Sequence, residues 1–224
     1  MKYLWTEDSG AGLHYWQLVN AYLFDGMLTV ESKGSNQKLL DAVRDLTLEG
    51  DDIYYIAFDI VYDNMDIMNK YLELRELAAE YSGQIRVLDL TCFEYIIFSF
   101  RYLIEWTGSR RKDKIVMREQ ILHAFQEHRI EISSITDPKT LQYLMGFKNY
   151  STERVLKSIT AELTDQDAWS VKGEKLGKCW YVDCCILEDH RGTHCGTVKG
   201  KTGKEKIRCL LSDEETQKII RGIV

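Results

Sequence analysis

Carboxylates stand at four places where short apolar runs end: Glu7 after Lys2 to Thr6, Asp59 and Asp63 in the run that starts at Asp52, and Glu94 just after Leu90-Thr91-Cys92-Phe93. Brought to one place, such acids repel one another unless a cation intervenes, and hard oxygen ligands suit magnesium or manganese. A site of that kind generates a nucleophilic hydroxide and stabilises the leaving oxygen in phosphodiester cleavage. Taken singly, each acid has an ordinary role. Glu7 and Asp8 are turn acids, Asp59 and Asp63 helix caps, and Glu94 suits the positive end of a helix dipole. The chemistry therefore depends on whether the fold gathers them.

A second group of ligands is soft. Cys179, Cys184, Cys185, His190, His194, Cys195 and Cys209 crowd the last part of the chain, with Cys-x4-Cys and His-x3-His spacings. Cys179, Cys184, His190 and Cys195 would supply four ligands to a structural zinc ion. The competing reading puts Cys184 or Cys185 in a small core, because neighbouring strand residues face opposite sides. Arg110, Arg111, Lys112 and Lys114 form a basic cluster that could meet a phosphate backbone, or could simply be a solvated loop.

The elements that must position these groups follow from periodicity. Lys2 to Thr6, Met27 to Glu31, Asp52 to Val61 and Ile85 to Leu90 read as strands. Between them, apolar stripes at Leu13-Trp16-Val19-Leu23, at Leu39-Leu40-Val43-Leu46 and at Ile67-Tyr71-Leu74-Ala78 read as helices, with Asp25-Gly26, Gly50 and Ser82-Gly83 as stops. Strands alternating with helices imply parallel β-α-β units with right-handed crossovers, so acids after the strands collect at one edge of the sheet. Phe93 to Trp106 reads as an apolar helix packed on that sheet, with Glu94 near its N-terminus. Ile115 to His128 and Thr152 to Leu163 read as helices flanking a turn at Asp137-Pro138. Ser212-Asp213-Glu214-Glu215 matches a capping box opening a terminal helix.

The expected organisation is thus an α/β domain over 1–107, a helical extension over 108–170 and a Cys/His-rich appendage over 171–224. The length suffices for a substantial core without staples. No run reaches spanning length and the N-terminus meets acid within a few residues, which predicts a cytoplasmic chain with no membrane partner. Cysteines confined mostly to one segment fit metal binding in a reducing compartment better than a disulfide framework. A net charge of −6 discourages free-standing attachment to nucleic acid, so any phosphate grip is regional or supplied by a partner.

A glutamate after the first strand, acids after the third, and Thr91-Cys92-Phe93-Glu94-Tyr95 opening the apolar segment Ile96-Ile97-Phe98-Ser99-Phe100 resemble the Toprim fold. Within it, the nearest likeness is to the RloB-like and overcoming-lysogenization-defect nucleases of bacterial anti-phage defence. The resemblance covers roughly 1–106 and implies a Rossmann-like, mainly parallel sheet and a magnesium- or manganese-dependent nuclease acting on DNA or RNA beside a partner ATPase. It implies Glu7 as general base or metal orienter, with Asp59, Asp63 and Glu94 holding ions. Val61 stands where the family's Asp-x-Asp pair has its second acid, leaving open whether Asp63 replaces it. The alternative is a non-catalytic α/β interaction subunit with a degenerate acidic edge; a receiver-like phosphoacceptor at Asp59 is a third reading. Homo-oligomerisation is left open.

Overall fold

The computed structural model describes residues 1–81, 83–164 and 208–223. Four strands, β1 (Lys2–Thr6), β2 (Thr29–Ser32), β3 (Ile53–Ala57) and β4 (Ile85–Val87), pair in parallel in the order β2-β1-β3-β4. The two central strands are apolar because both of their faces are covered. On one face, Leu4, Tyr55 and Ala57 pack with Tyr15, Trp16, Leu18 and Val19 of α1 (Ala11–Leu23) and with α4 (Phe93–Ser99). On the other, Trp5, Tyr54 and Ile56 pack with Leu39, Leu40 and Val43 of α2 (Asn36–Arg44) and with Tyr71 and Leu74 of α3 (Met65–Glu80). The result is a three-layer α/β architecture of Rossmann-like kind. Among the described residues, no helix is long and apolar enough to cross a membrane.

The strand order has a direct consequence for ligands. From β1 the chain moves outward to β2, then crosses back over β1 to β3, so the direction of winding reverses between β1 and β3. A crevice opens at the carboxyl ends of the strands at such a reversal, and open α/β sheets bind ligands there. Glu7 and Asp59 follow these two strands.

Beyond the sheet, several expectations change. The apolar segment is not one helix: α4 ends at Ser99 and α5 (Leu103–Thr107) restarts after a turn. Buried Arg118, on α6 (Lys112–His123), makes the break stable by donating to the carbonyls of Phe98 (2.7 Å), Ser99 (3.2 Å) and Phe100 (3.0 Å). The helix expected to reach His128 stops at His123, and the chain reverses through Glu127 and His128, both at positive φ, into a two-residue hairpin of β5 (Phe125–Gln126) and β6 (Arg129–Ile130). Asp137-Pro138 opens a helix instead of separating two. Pro138 takes the first position of α7 (Pro138–Met145), where its missing N–H is no loss, and Asp137 caps it. At the C-terminal end, α9 (Glu214–Ile220) starts after Asp213 with no side-chain capping bond, so the expected capping box does not form; the Ser212 hydroxyl donates instead to the Cys209 carbonyl (2.9 Å).

Residues 108–164 share one core with the sheet. α8 (Thr152–Thr164) places Val155, Leu156 and Ile159 in the same apolar cluster as Phe93, Ile96 and Ile97 of α4. That packing carries polar residues of α8 to the acidic edge.

Candidate acidic site at the strand ends

Glu7 leaves β1 in a turn built around Asp8. The Asp8 amide donates to Thr6 Oγ1 (3.0 Å), Thr6 Oγ1 donates to Asp8 Oδ2 (3.0 Å), and Trp16 Nε1 approaches the same oxygen (3.4 Å). Asp8 also lies hard against Gly12 in the first turn of α1, where a Cβ would come within 2.3 Å of Asp8 Oδ1. Only glycine fits at that position with Asp8 where it is.

The turn aims Glu7 at Asp59. Their carboxyl groups share a hydrogen bond, which requires a proton on one of them, and the Asn36 amide at the start of α2 donates to Glu7 as well. Burial pushes the Asp59 carboxyl well above the usual aspartate range, and the neighbouring charges of Glu7, Asp8 and Glu94 push it further in the same direction. Glu7 is raised too, chiefly by burial, but its bonds from Asp59 and Asn36 work the other way. Of the two, Asp59 is raised the further. Asp59 is only 8% exposed, and its Oδ1 is buried without a hydrogen-bond partner.

Glu94 reaches the same region from the first turn of α4 and is buried at 6% exposure. Its companion is Lys157 of α8, with Nζ 3.4 Å from Glu94 Oε1; Lys157 also pairs with Glu153 one turn earlier. The Glu153 charge is felt at both Glu7 and Cys92. Cys92 itself is fully buried, and its thiol is pushed up by burial and by the charges of Glu94 and Asp59, so it stays protonated. A backbone bond from Ile60 N to the Leu90 carbonyl (2.9 Å) ties the loop that bears Asp59 to the one that leads into Glu94.

Asp63 is engaged differently. Its Oδ2 accepts from the Thr152 amide (2.9 Å) and the Thr152 hydroxyl (2.7 Å), which fastens the N-terminus of α8 to the loop after β3. Among the described residues, no three His, Cys, Asp or Glu side chains stand together as a ready-made metal cluster. The paired carboxyl groups of Glu7 and Asp59, with a buried oxygen lacking a partner, do fit magnesium or manganese. Magnesium in particular takes one or two carboxylates and keeps water in its other positions.

The basic cluster divides. Lys114 is buried, pairs with Glu162 of α8 at 2.9 Å and lies 3.9 Å from the centre of the Tyr143 ring, so it is withdrawn from any phosphate-binding surface. Arg111 leans toward the same Glu162 (3.6 Å), whereas Arg110 and Lys112 are exposed. Cys179, Cys184, His190 and Cys195, and with them the zinc expectation, lie outside the described residues.

Sequence reasoning missed Lys157, Glu153 and His128. His128 Nε2 lies 2.7 Å from Asp89 Oδ1 and its Nδ1 lies 2.7 Å from Thr91 Oγ1, and burial lowers its pKa. A carboxylate only accepts, so Nε2 carries the proton and Thr91 donates to Nδ1, which braces the loop leading to Glu94. Glu153 and Lys157 carry only the spacing of an ordinary surface ion pair, and His128 sits in a turn; nothing local marks any of them. Comparison with family models, with curated proteins and with solved structures finds no match to this chain.

Proposed function

We propose that this chain is a divalent-cation-dependent nuclease of the Toprim type, hydrolysing DNA or RNA phosphodiesters. The observation that carries the reading is the Glu7–Asp59 carboxyl pair with its buried, unpartnered oxygen, at the strand ends where the winding of the sheet reverses. Glu7 and Asp59 would hold magnesium or manganese, and Glu94 would add its charge from α4. When bound, the cation would polarise the phosphate and lower the pKa of the attacking water. Glu7, whose carboxyl is raised less than that of Asp59, would orient or deprotonate that water. Lys157 neutralises Glu94 before substrate arrives and is a cation within reach of a phosphate drawn to the acids. A role as an effector of prokaryotic anti-phage defence, working beside an ATPase that supplies part of the nucleic-acid grip, rests on the family resemblance alone.

A second reading is a non-catalytic interaction subunit. It is favoured by α8, which engages Glu94 through Lys157 and Asp63 through Thr152. Incubation of the full chain with plasmid DNA and with RNA, in magnesium and in manganese, separates the two. Metal-dependent cleavage that is lost in Glu7→Gln and Asp59→Asn is the expected result. Cleavage unchanged in both variants overturns the site; no cleavage of either substrate, alone or with candidate ATPases, favours the interaction subunit.

A further inference from the structure

β4 closes one side of the sheet. Against β3 its register is Tyr54↔Ile85 and Ile56↔Val87, with the Tyr54 amide donating to the Gln84 carbonyl (2.7 Å) and the Leu88 amide to the Ile56 carbonyl (2.9 Å). The alternation of a parallel ladder then gives Arg86 the remaining inward bonds and turns the N–H and C=O groups of Ile85 and Val87 outward. Among the described residues, nothing pairs with that outer edge.

A groove of about 580 Å³ runs along the edge, between β4 and α3. Its floor is Ile85, Val87 and Leu88, and its helical wall is kept low by Ala78 and Ala79. Arg75 stands on the same wall, exposed and without an ion-pair partner among the described residues, while Asp89 at the groove's end is already engaged by His128. A strand edge facing a helix across a groove is the arrangement that accepts an added strand: main-chain bonds supply affinity, and alternate side chains enter the groove.

We propose that this groove binds an extended segment of a partner protein, added to β4 as a fifth strand, with apolar side chains over Ala78 and Ala79 and a carboxylate at Arg75. A second copy of this chain is a poorer occupant. Two β4 edges paired about a two-fold axis would set Arg86 opposite Arg86 over only three residues, and like charges directly opposed across strands are destabilising. An acidic segment meets the opposite condition, because it satisfies Arg75. The inference is independent of the acidic site at the strand ends.

Selection of a random-peptide display library on the full chain, followed by amide hydrogen exchange, tests it. In the chain alone, the amides of Ile85 and Val87 should exchange faster than the inward-bonded amides of Arg86 and Leu88. Selected peptides should carry Asp or Glu at a fixed position and slow both amides. Val87→Pro, which removes one outward donor and leaves the inward ladder intact, should weaken binding by about tenfold or more, as should Ala79→Trp, which fills the groove. Arg75→Glu, an exposed change that spares the fold, should shift the selected charge to Lys or Arg. Protection of both amides in the unliganded chain, failure to enrich any peptide, or peptides indifferent to all three substitutions would overturn the proposal.

Discussion

Asp59 is the residue on which the chemistry and the stability of the chain meet. Its carboxyl is buried among Glu7, Asp8 and Glu94, so the folded protein keeps a proton there at pH values where the unfolded chain has released it. With more protons bound folded than unfolded, stability falls as pH rises from the ordinary aspartate range through the raised pKa of Asp59. Thermal unfolding of metal-free protein across that window should show the decline, and Asp59→Asn should flatten it. At neutral pH the variant should melt higher than the wild type, by about 2–4 °C for each kcal/mol gained. Functional acids often carry such a stability penalty. A variant that melts lower at neutral pH, with the decline unchanged, would show that Asp59 is not under this strain.

At the scale of elements, α8 decides what the acidic edge can do. Asp63 holds its N-terminus through Thr152, and α8 in turn delivers Lys157 and Glu153. Asp63→Ala should therefore act as the loss of a helix cap, costing about 1–2 kcal/mol. Cation affinity, measured calorimetrically, should change by less than about tenfold, whereas loss of a true ligand would exceed that. The contrast between Asp59 and Asp63 shows what was legible in the sequence. Glu7 and Asp59 follow buried, β-prone runs, so their position at the carboxyl ends of parallel strands could be read directly. Asp63 lies on the same stretch, yet its partner is 89 residues away, and no local pattern discloses that contact. The burial of Lys114 is hidden from the sequence for a related reason. It reads as one of a basic run, but α6 turns it inward toward Glu162 and Tyr143.

For the whole molecule, the sheet order and the continuous core matter most. The alternation of strands and helices predicted parallel units; it did not reveal that the winding reverses between β1 and β3, beside Glu7 and Asp59, the place where open α/β sheets generally bind ligands. Nor did it reveal that helices after residue 108 share the core of the sheet, since the contact between α4 and α8 is one of shape between two apolar stripes. The most direct test of the central claim is calorimetric titration of the full chain with magnesium and manganese in two buffers of different ionisation enthalpy. Glu7 and Asp59 as the cation pair predict saturable binding with release of about one proton as Asp59 ionises, lost in both Glu7→Gln and Asp59→Asn. Identical binding in the wild type and both variants, or no saturable binding in the wild type, would contradict it.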